Sequence, residues 1–184
     1  LRVALFLDPV DVVPRLVGEL DLRAVVLGEL AADRAGDVQI RPVAVAAVKG
    51  ALEGHSPETV NFVNALHVAR DRGLSVAETR HEEAGNYARS IRVALSDSGA
   101  TSSAEATLYA GGDARVVEVD GLPLEFRPEG AIVFLRNRDV PGVVGSVGTI
   151  LGEAGVNIAN FSLARGAGKR AAAVIAVDSP PPPA

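Results

Sequence analysis

The sequence predicts an α+β chain: an antiparallel sheet covered on one face by two helices, followed by a shorter β-α-β-β unit. Three observations carry this. Between residues 90 and 126 apolar and polar residues alternate, as half-buried strands require, with glycine-containing pairs between the runs. Upstream, two stretches rich in alanine, valine and leucine end at glycines 54 and 73, as helices do. Beyond residue 130 the pattern reads strand, helix, strand, strand.

Taken in order, an apolar run at 24–27, bounded by charge and glycine, suits a strand. Pro42 can hold a first helical position, residues 43–52 are rich in alanine and valine, and Gly54 stands where that helix stops. Ser56 and Pro57 repeat the signal. They cap and open a second helix running towards Arg72, with Phe62, Val63, Leu66 and Ala69 on one side and Gly73 as its stop. From Leu74 the period changes, and Ile91, Val93 and Leu95 alternate with Arg92, Ala94 and Ser96. Ser98-Gly99, Gly111-Gly112 and Asp120-Gly121 supply the positive φ of hairpin turns, which gives a four-strand meander at residues 90–96, 101–109, 115–119 and 122–126.

Arg127-Pro128-Glu129-Gly130 breaks the pattern and marks a domain boundary. The first domain spans 1–130, with 1–20 unassigned, the second spans 131–178, and 179–184 is a proline-rich tail. The second holds a strand at 131–135, a helix opened by Pro141 and ended by Gly155, and strands at 156–163 and 171–177. A ferredoxin-like unit would add another helix and strand, so this one reads as truncated. Residues 132–135 are then expected to lack a neighbour, and one sheet face to stay bare. On the helix, Gly142, Gly145, Gly148 and Gly152 share a face, with Val143, Val144, Val147, Ile150 and Leu151 opposite. Glycine costs roughly 1 kcal/mol relative to alanine inside a helix, so a close approach should offset it. A ligand or a second chain would serve; the alternative is packing on the domain's own sheet.

The composition excludes several function classes. The 184 residues, 48% hydrophobic, suffice for two small cores. With no cysteine there is no disulfide framework, thiolate nucleophile or thiolate metal site, which fits a reducing, cytoplasmic setting. The net charge is only −5 and the 18 Lys and Arg residues are scattered, unlike a nucleic-acid-binding stripe. The apolar run at 3–7 is far too short to span a membrane and does not resemble a signal peptide. There is no methionine, so the chain is expected to be a piece of something longer. Gly166-Ala167-Gly168-Lys169 lacks the spacing and hydroxyl of a P-loop, and His55, His67 and His81 lack the close pairing of zinc ligands. No dinucleotide fingerprint follows a strand. No catalytic residue, metal or resident cofactor is expected in this chain.

Asp139 stands just before a helix whose first turn offers unpaired N–H groups and a positive dipole end. An amino acid fits there: its carboxylate accepts around Gly142 and Val143, its ammonium pairs with Asp139, and Asn157 bridges either group. The plainer reading makes Asp139 a helix cap and Asn157 a turn residue.

The run Asn137-Arg138-Asp139-Val140-Pro141-Gly142-Val143-Val144-Gly145, with Leu151-Gly152-Glu153-Ala154-Gly155-Val156-Asn157-Ile158, resembles the effector-binding core of an ACT domain, particularly that of D-3-phosphoglycerate dehydrogenases. Thr59-Val60-Asn61-Phe62-Val63-Asn64-Ala65, Ala69-Arg70-Asp71-Arg72-Gly73 and Gly121 with the strand beyond are similar to that family's intervening, or allosteric substrate-binding, domain. The resemblance covers residues 28–177. It implies the regulatory region of an NAD-dependent oxidoreductase that begins L-serine synthesis, with NAD bound by domains outside this chain. It implies L-serine, or a similar small amino acid, between two ACT domains of a homo-oligomer, with Asn137 and Asp139 from one subunit and Asn157 from the other. It also implies a site for phosphate or a phosphorylated acid. Arg115 and Arg127 fall where the family carries basic residues, and Lys49 follows an apolar helical stretch from which a cation can point inward. As isolated residues, these three read as solvated surface charges. Two other readings are a β portion of an iron-sulfur L-serine dehydratase, whose Ser-Ser-Ser-His stretch is absent, and a free-standing ACT-type sensor.

Overall fold

The computed structural model describes residues 2–6, 25–32, 40–53, 56–81, 86–97 and 100–181. They form β1 (Arg2–Phe6), β2 (Val25–Ala32), α1 (Ile40–Leu52), α2 (Ala65–Asp71), β3 (Ser75–His81), β4 (Arg89–Asp97), β5 (Ala100–Leu108), β6 (Ala114–Val119), β7 (Leu122–Phe126), β8 (Ala131–Arg138), α3 (Val143–Glu153), β9 (Ile158–Gly166) and β10 (Arg170–Val177). The strands make one sheet of order β3-β2-β4-β5-β6-β7 and another of order β1-β8-β10-β9. Among the described residues only the β2–β3 pairing is parallel. This is the α+β arrangement expected from the alternation, with the four-strand meander at β4–β7. No helix among the described residues is long and apolar enough to cross a membrane.

Local chemistry explains where elements end. Asp120 and Gly121 take φ of 52° and 74°, the doubly positive pair that folds β6 tightly back onto β7. Gly155 has φ 69°. Its N–H reaches Gly152 O at 3.0 Å while the Val156 N–H reaches Leu151 O at 2.9 Å, so two otherwise orphaned carbonyls at the end of α3 are satisfied. The same pattern ends α2 at Gly73. Gly54 and Ser98-Gly99 lie outside the described residues.

The start of the second helix differs from expectation. Ser56 and Pro57 open no helix; α2 begins at Ala65. Asn61 Oδ1 accepts from the N–H groups of Val63 (2.8 Å) and Asn64 (3.1 Å), and Asn64 Oδ1 accepts from the Asn61 N–H at 2.7 Å. These side chains satisfy the backbone groups that a helix would have paired. Phe62 and Val63 are consequently 64% and 94% exposed instead of lining a helix's buried side. At α3, Pro141 precedes the helix, and Gly142 with φ 91° is its N-cap.

Residues opposite one another on neighbouring strands share a sheet face. Val93 opposes Ala104, Ala104 opposes Val119 and Ala106 opposes Val116, and Leu95 lies on that same face of the large sheet. The face is covered in two parts. Val48, Leu52, Val68 and Leu74, from α1, α2 and the following turn, pack with Leu95. At the other end Val116, Val119, Leu122, Leu124 and Phe126 pack with Ile132, Phe134, Ala164, Ala172 and Val174 of the second sheet.

That contact overturns two expectations for the second unit. The sheet face expected to be bare is covered by β6 and β7, while its other face carries Val133, Leu135, Ala173 and Ile175 under Leu151 of α3. Strands 132–135 do not lack a neighbour either: β1 runs antiparallel along β8, Arg2 opposite Arg136 and Phe6 opposite Ile132. A third correction concerns α3. Val143, Val147 and Leu151 face the sheet, but Val144 and Ile150 are exposed, because each sits about 60° round the helix from the centre of that stripe.

Polar contacts fasten the same junction. Arg136 Nε donates to Asp120 Oδ2 at 3.0 Å, Asp120 Oδ1 accepts from the Ser103 N–H at 2.9 Å, and Ser162 Oγ donates to Glu125 O at 2.9 Å. At Gly166 a Cβ would lie 2.5 Å from Leu122 Cδ2, so a larger residue there requires the Leu122 side chain to shift.

Leu124 is 1% exposed at the centre of the shared core. Leu124→Ala is expected to cost about 2–5 kcal/mol. Urea unfolding followed by far-UV circular dichroism should shift as one transition; a split curve with only one half displaced would contradict a shared core.

Candidate functional site

The β8–β10–β9 pairing builds the first candidate site. Ala171 opposes both Asn137 on β8 and Arg165 on β9, and Ala173 opposes both Leu135 and Leu163, so these residues share the face under α3. A pocket of about 150 Å³ lies between that face and the start of α3. It is lined by Asn137, Asp139, Gly142 and Val143, with Phe161, Leu163 and Arg165 on its apolar and cationic side. Four of the five residues proposed for an amino acid therefore converge. Asp139 does not cap the helix; its Oδ1 lies 3.3 Å from Arg165 Nε, and no side chain caps α3 at Gly142. Asn137 Nδ2 donates to Arg138 O at 2.7 Å, and its Oδ1 is buried without a hydrogen-bond partner. Such an acceptor is costly to leave unmet.

Asn157 is not in this pocket. Its Nδ2 donates to Asp178 Oδ2 at 2.8 Å, tying the turn before β9 to the end of β10. Arg165 escaped the sequence reading because nothing local marks it; only strand register brings it to Asp139.

The second candidate site lies where β7 meets β9. A pocket of about 520 Å³ is lined by Arg115, Glu125, Arg127, Glu129, Asn160 and Ser162, with Phe126, Val174 and Ala176 behind. Arg115 and Arg127 come together as proposed. They are not bare, however. Asp113 Oδ2 accepts from Arg115 Nε at 3.1 Å and Nη2 at 2.8 Å, and from Arg127 Nη2 at 3.1 Å. The Arg115 hydrogen bond, with Arg127 beside it, holds the Asp113 carboxyl below the usual carboxylate range, and Asp113 in turn raises the Arg115 guanidinium. Arg115 also stacks over the Tyr109 ring at 5.9 Å. Lys49 is not brought here: on α1 its Nζ pairs with Glu53 Oε2 at 2.7 Å and lies 5.7 Å from the Phe62 ring centre. Asp113, Asn160 and Ser162 were missed, since a carboxylate two residues from an arginine reads as ordinary surface charge.

A family model described as the D-3-phosphoglycerate dehydrogenase intervening domain matches residues 27–120, about half of the chain. The D-3-phosphoglycerate dehydrogenase of Synechocystis sp. is 35% identical over 136 residues, 74% of this chain and 24% of that protein. The Bacillus subtilis enzyme is 35% identical over 120 residues, 65% of this chain and 23% of its own. The Mycobacterium tuberculosis enzyme is 30% identical over 165 residues, 85% and 30% respectively. The chain thus spans about a quarter of the length of these curated relatives. With the family match covering its first unit as far as β6, and the βαββ unit following, the chain belongs to the D-3-phosphoglycerate dehydrogenase family, as a homologue of its C-terminal regulatory region.

Proposed function

We propose that this chain is the control region of a cytoplasmic, NAD-dependent D-3-phosphoglycerate dehydrogenase, sensing L-serine or a similarly small amino acid between paired copies of its second unit and holding phosphate or a phosphorylated acid at the arginine pocket. Catalysis and NAD binding belong to other domains on this reading. The observation that carries it is the α3 pocket, where Asn137, Asp139, Gly142 and Val143 converge around an unmet acceptor, Asn137 Oδ1. The first-turn N–H groups of α3 and Arg165 suit a ligand carboxylate, and Asp139 with Asn137 Oδ1 suits an ammonium. About 150 Å³ favours a small amino acid over a bulky one.

Pairing of copies is supported by the glycine face of α3. A Cβ at Gly145, Gly148 or Gly152 would meet nothing within 4 Å, so these glycines do not serve packing on the chain's own sheet. Exposed Val144 and Leu163 lie beside that face and the pocket. A second copy set against it brings an Asn157 from across the interface, in keeping with its place outside the pocket of its own chain. Ligand held by two copies biases how they are arranged, which is regulation by population shift. The family match favours this reading over the iron-sulfur dehydratase.

Calorimetry with L-serine, run beside glycine and phosphate, is expected to show saturable binding that disappears in Asp139→Ala; silence towards all small amino acids would contradict the reading. Gly148→Glu is expected to leave the circular dichroism unchanged, because its side chain enters open space, and to convert a dimer to a monomer by light scattering. Wild-type chain that is monomeric with and without L-serine would contradict the pairing.

A further inference from the structure

We propose that Asp113 is an internal counter-ion that occupies the arginines of the second pocket, so that an entering phosphate group must displace it; this rests on reading that pocket as an anion site. The geometry is that of a bound anion. One carboxylate oxygen collects three N–H groups from two guanidiniums, at 2.8–3.1 Å, as a phosphate oxygen would. The Nε–Nη2 edge of Arg115, one of the two edges that offer a bidentate contact, is taken by Asp113. Its remaining Nη1 lies 3.6 Å from Glu125 Oε1. Arg115 therefore cannot offer its Nε–Nη2 edge to a ligand while Asp113 stays in place.

The charges agree. Against Arg115 and Arg127 stand Asp113, Glu125 and Glu129, so the two cations are more than neutralised before any ligand arrives. A phosphate group, with higher charge and three acceptor oxygens, can replace a carboxylate at two arginines; a weak monoanion cannot. Asp113 is also placed to leave. It sits at the end of the β5–β6 turn, directly after Gly111 and Gly112, both at φ 85°. The Asp113 carbonyl accepts from the Tyr109 N–H at 2.8 Å and holds the turn, so release needs only rotation of the Asp113 side chain. The site would then be silent at low phosphate and open only to an anion strong enough to compete. Asp113 is accordingly a specificity and gating element, not a ligand contact.

The test is calorimetry of the 184-residue chain with inorganic phosphate, comparing wild type, Asp113→Asn, Asp113→Ser and Asp113→Asn/Arg127→Ala, with circular dichroism to confirm folding. Removing the counter-ion frees charge-assisted donors, so both single variants should bind at least about tenfold more tightly than wild type. The added Arg127→Ala should cancel the gain. Wild type binding as tightly as, or more tightly than, the folded single variants would overturn the proposal while leaving the anion site standing, with Asp113 then holding the arginines in position. No binding by wild type and by both folded single variants would remove the anion reading, and this inference with it.

Discussion

Both candidate sites depend on the packing of β6 and β7 against the second sheet. Leu124, fully enclosed between Phe134, Val174 and their neighbours, sits where two sheets that would each have an uncovered apolar face cover one another. The buried apolar area is what holds the βαββ unit on the meander. Asp120 reinforces the same seam, anchoring Ser103 of one sheet and Arg136 of the other. Once that seam is formed, the register of β8, β10 and β9 places the pocket residues, and the meeting of β7 with β9 creates the arginine pocket.

A consequence is that the two candidate sites share a strand. Successive side chains on a strand point to opposite faces. On β9, Phe161, Leu163 and Arg165 enter the pocket under α3, while Asn160 and Ser162 enter the arginine pocket. On β10, Ala173 lines the first and Val174 and Ala176 the second. On the proposed function, the two strands that both pockets share are the direct physical connection between the two ligands. On this account no message has to cross the Arg127–Gly130 connection alone.

Much of this was legible because it is local. The meander follows from alternation and from the Asp120-Gly121 turn, and the helix stops at Gly73 and Gly155 follow from one glycine each. The α3 pocket was legible because Asn137, Asp139, Gly142 and Val143 fall within seven residues of sequence. What escaped depends on distant or competing partners. Asn61 and Asn64 withdraw the backbone of 59–64 from the helix that Ser56-Pro57 would have opened. The covered face of β8 and β10 depends on β6 and β7, and Arg165 meets Asp139 only through strand pairing. Lys49 reads as a candidate cation from its apolar surroundings, yet its charge is answered one helical turn away by Glu53.

The measurement that goes most directly to the central claim is amide hydrogen exchange on the chain with and without L-serine. The account predicts slowed exchange in two stretches, the loop and first turn at 137–147 and the turn at Asn157, together with β9, because ligand and partner close over both. Unchanged exchange at 137–147 and at Asn157, under saturating L-serine, would contradict sensing at this pocket.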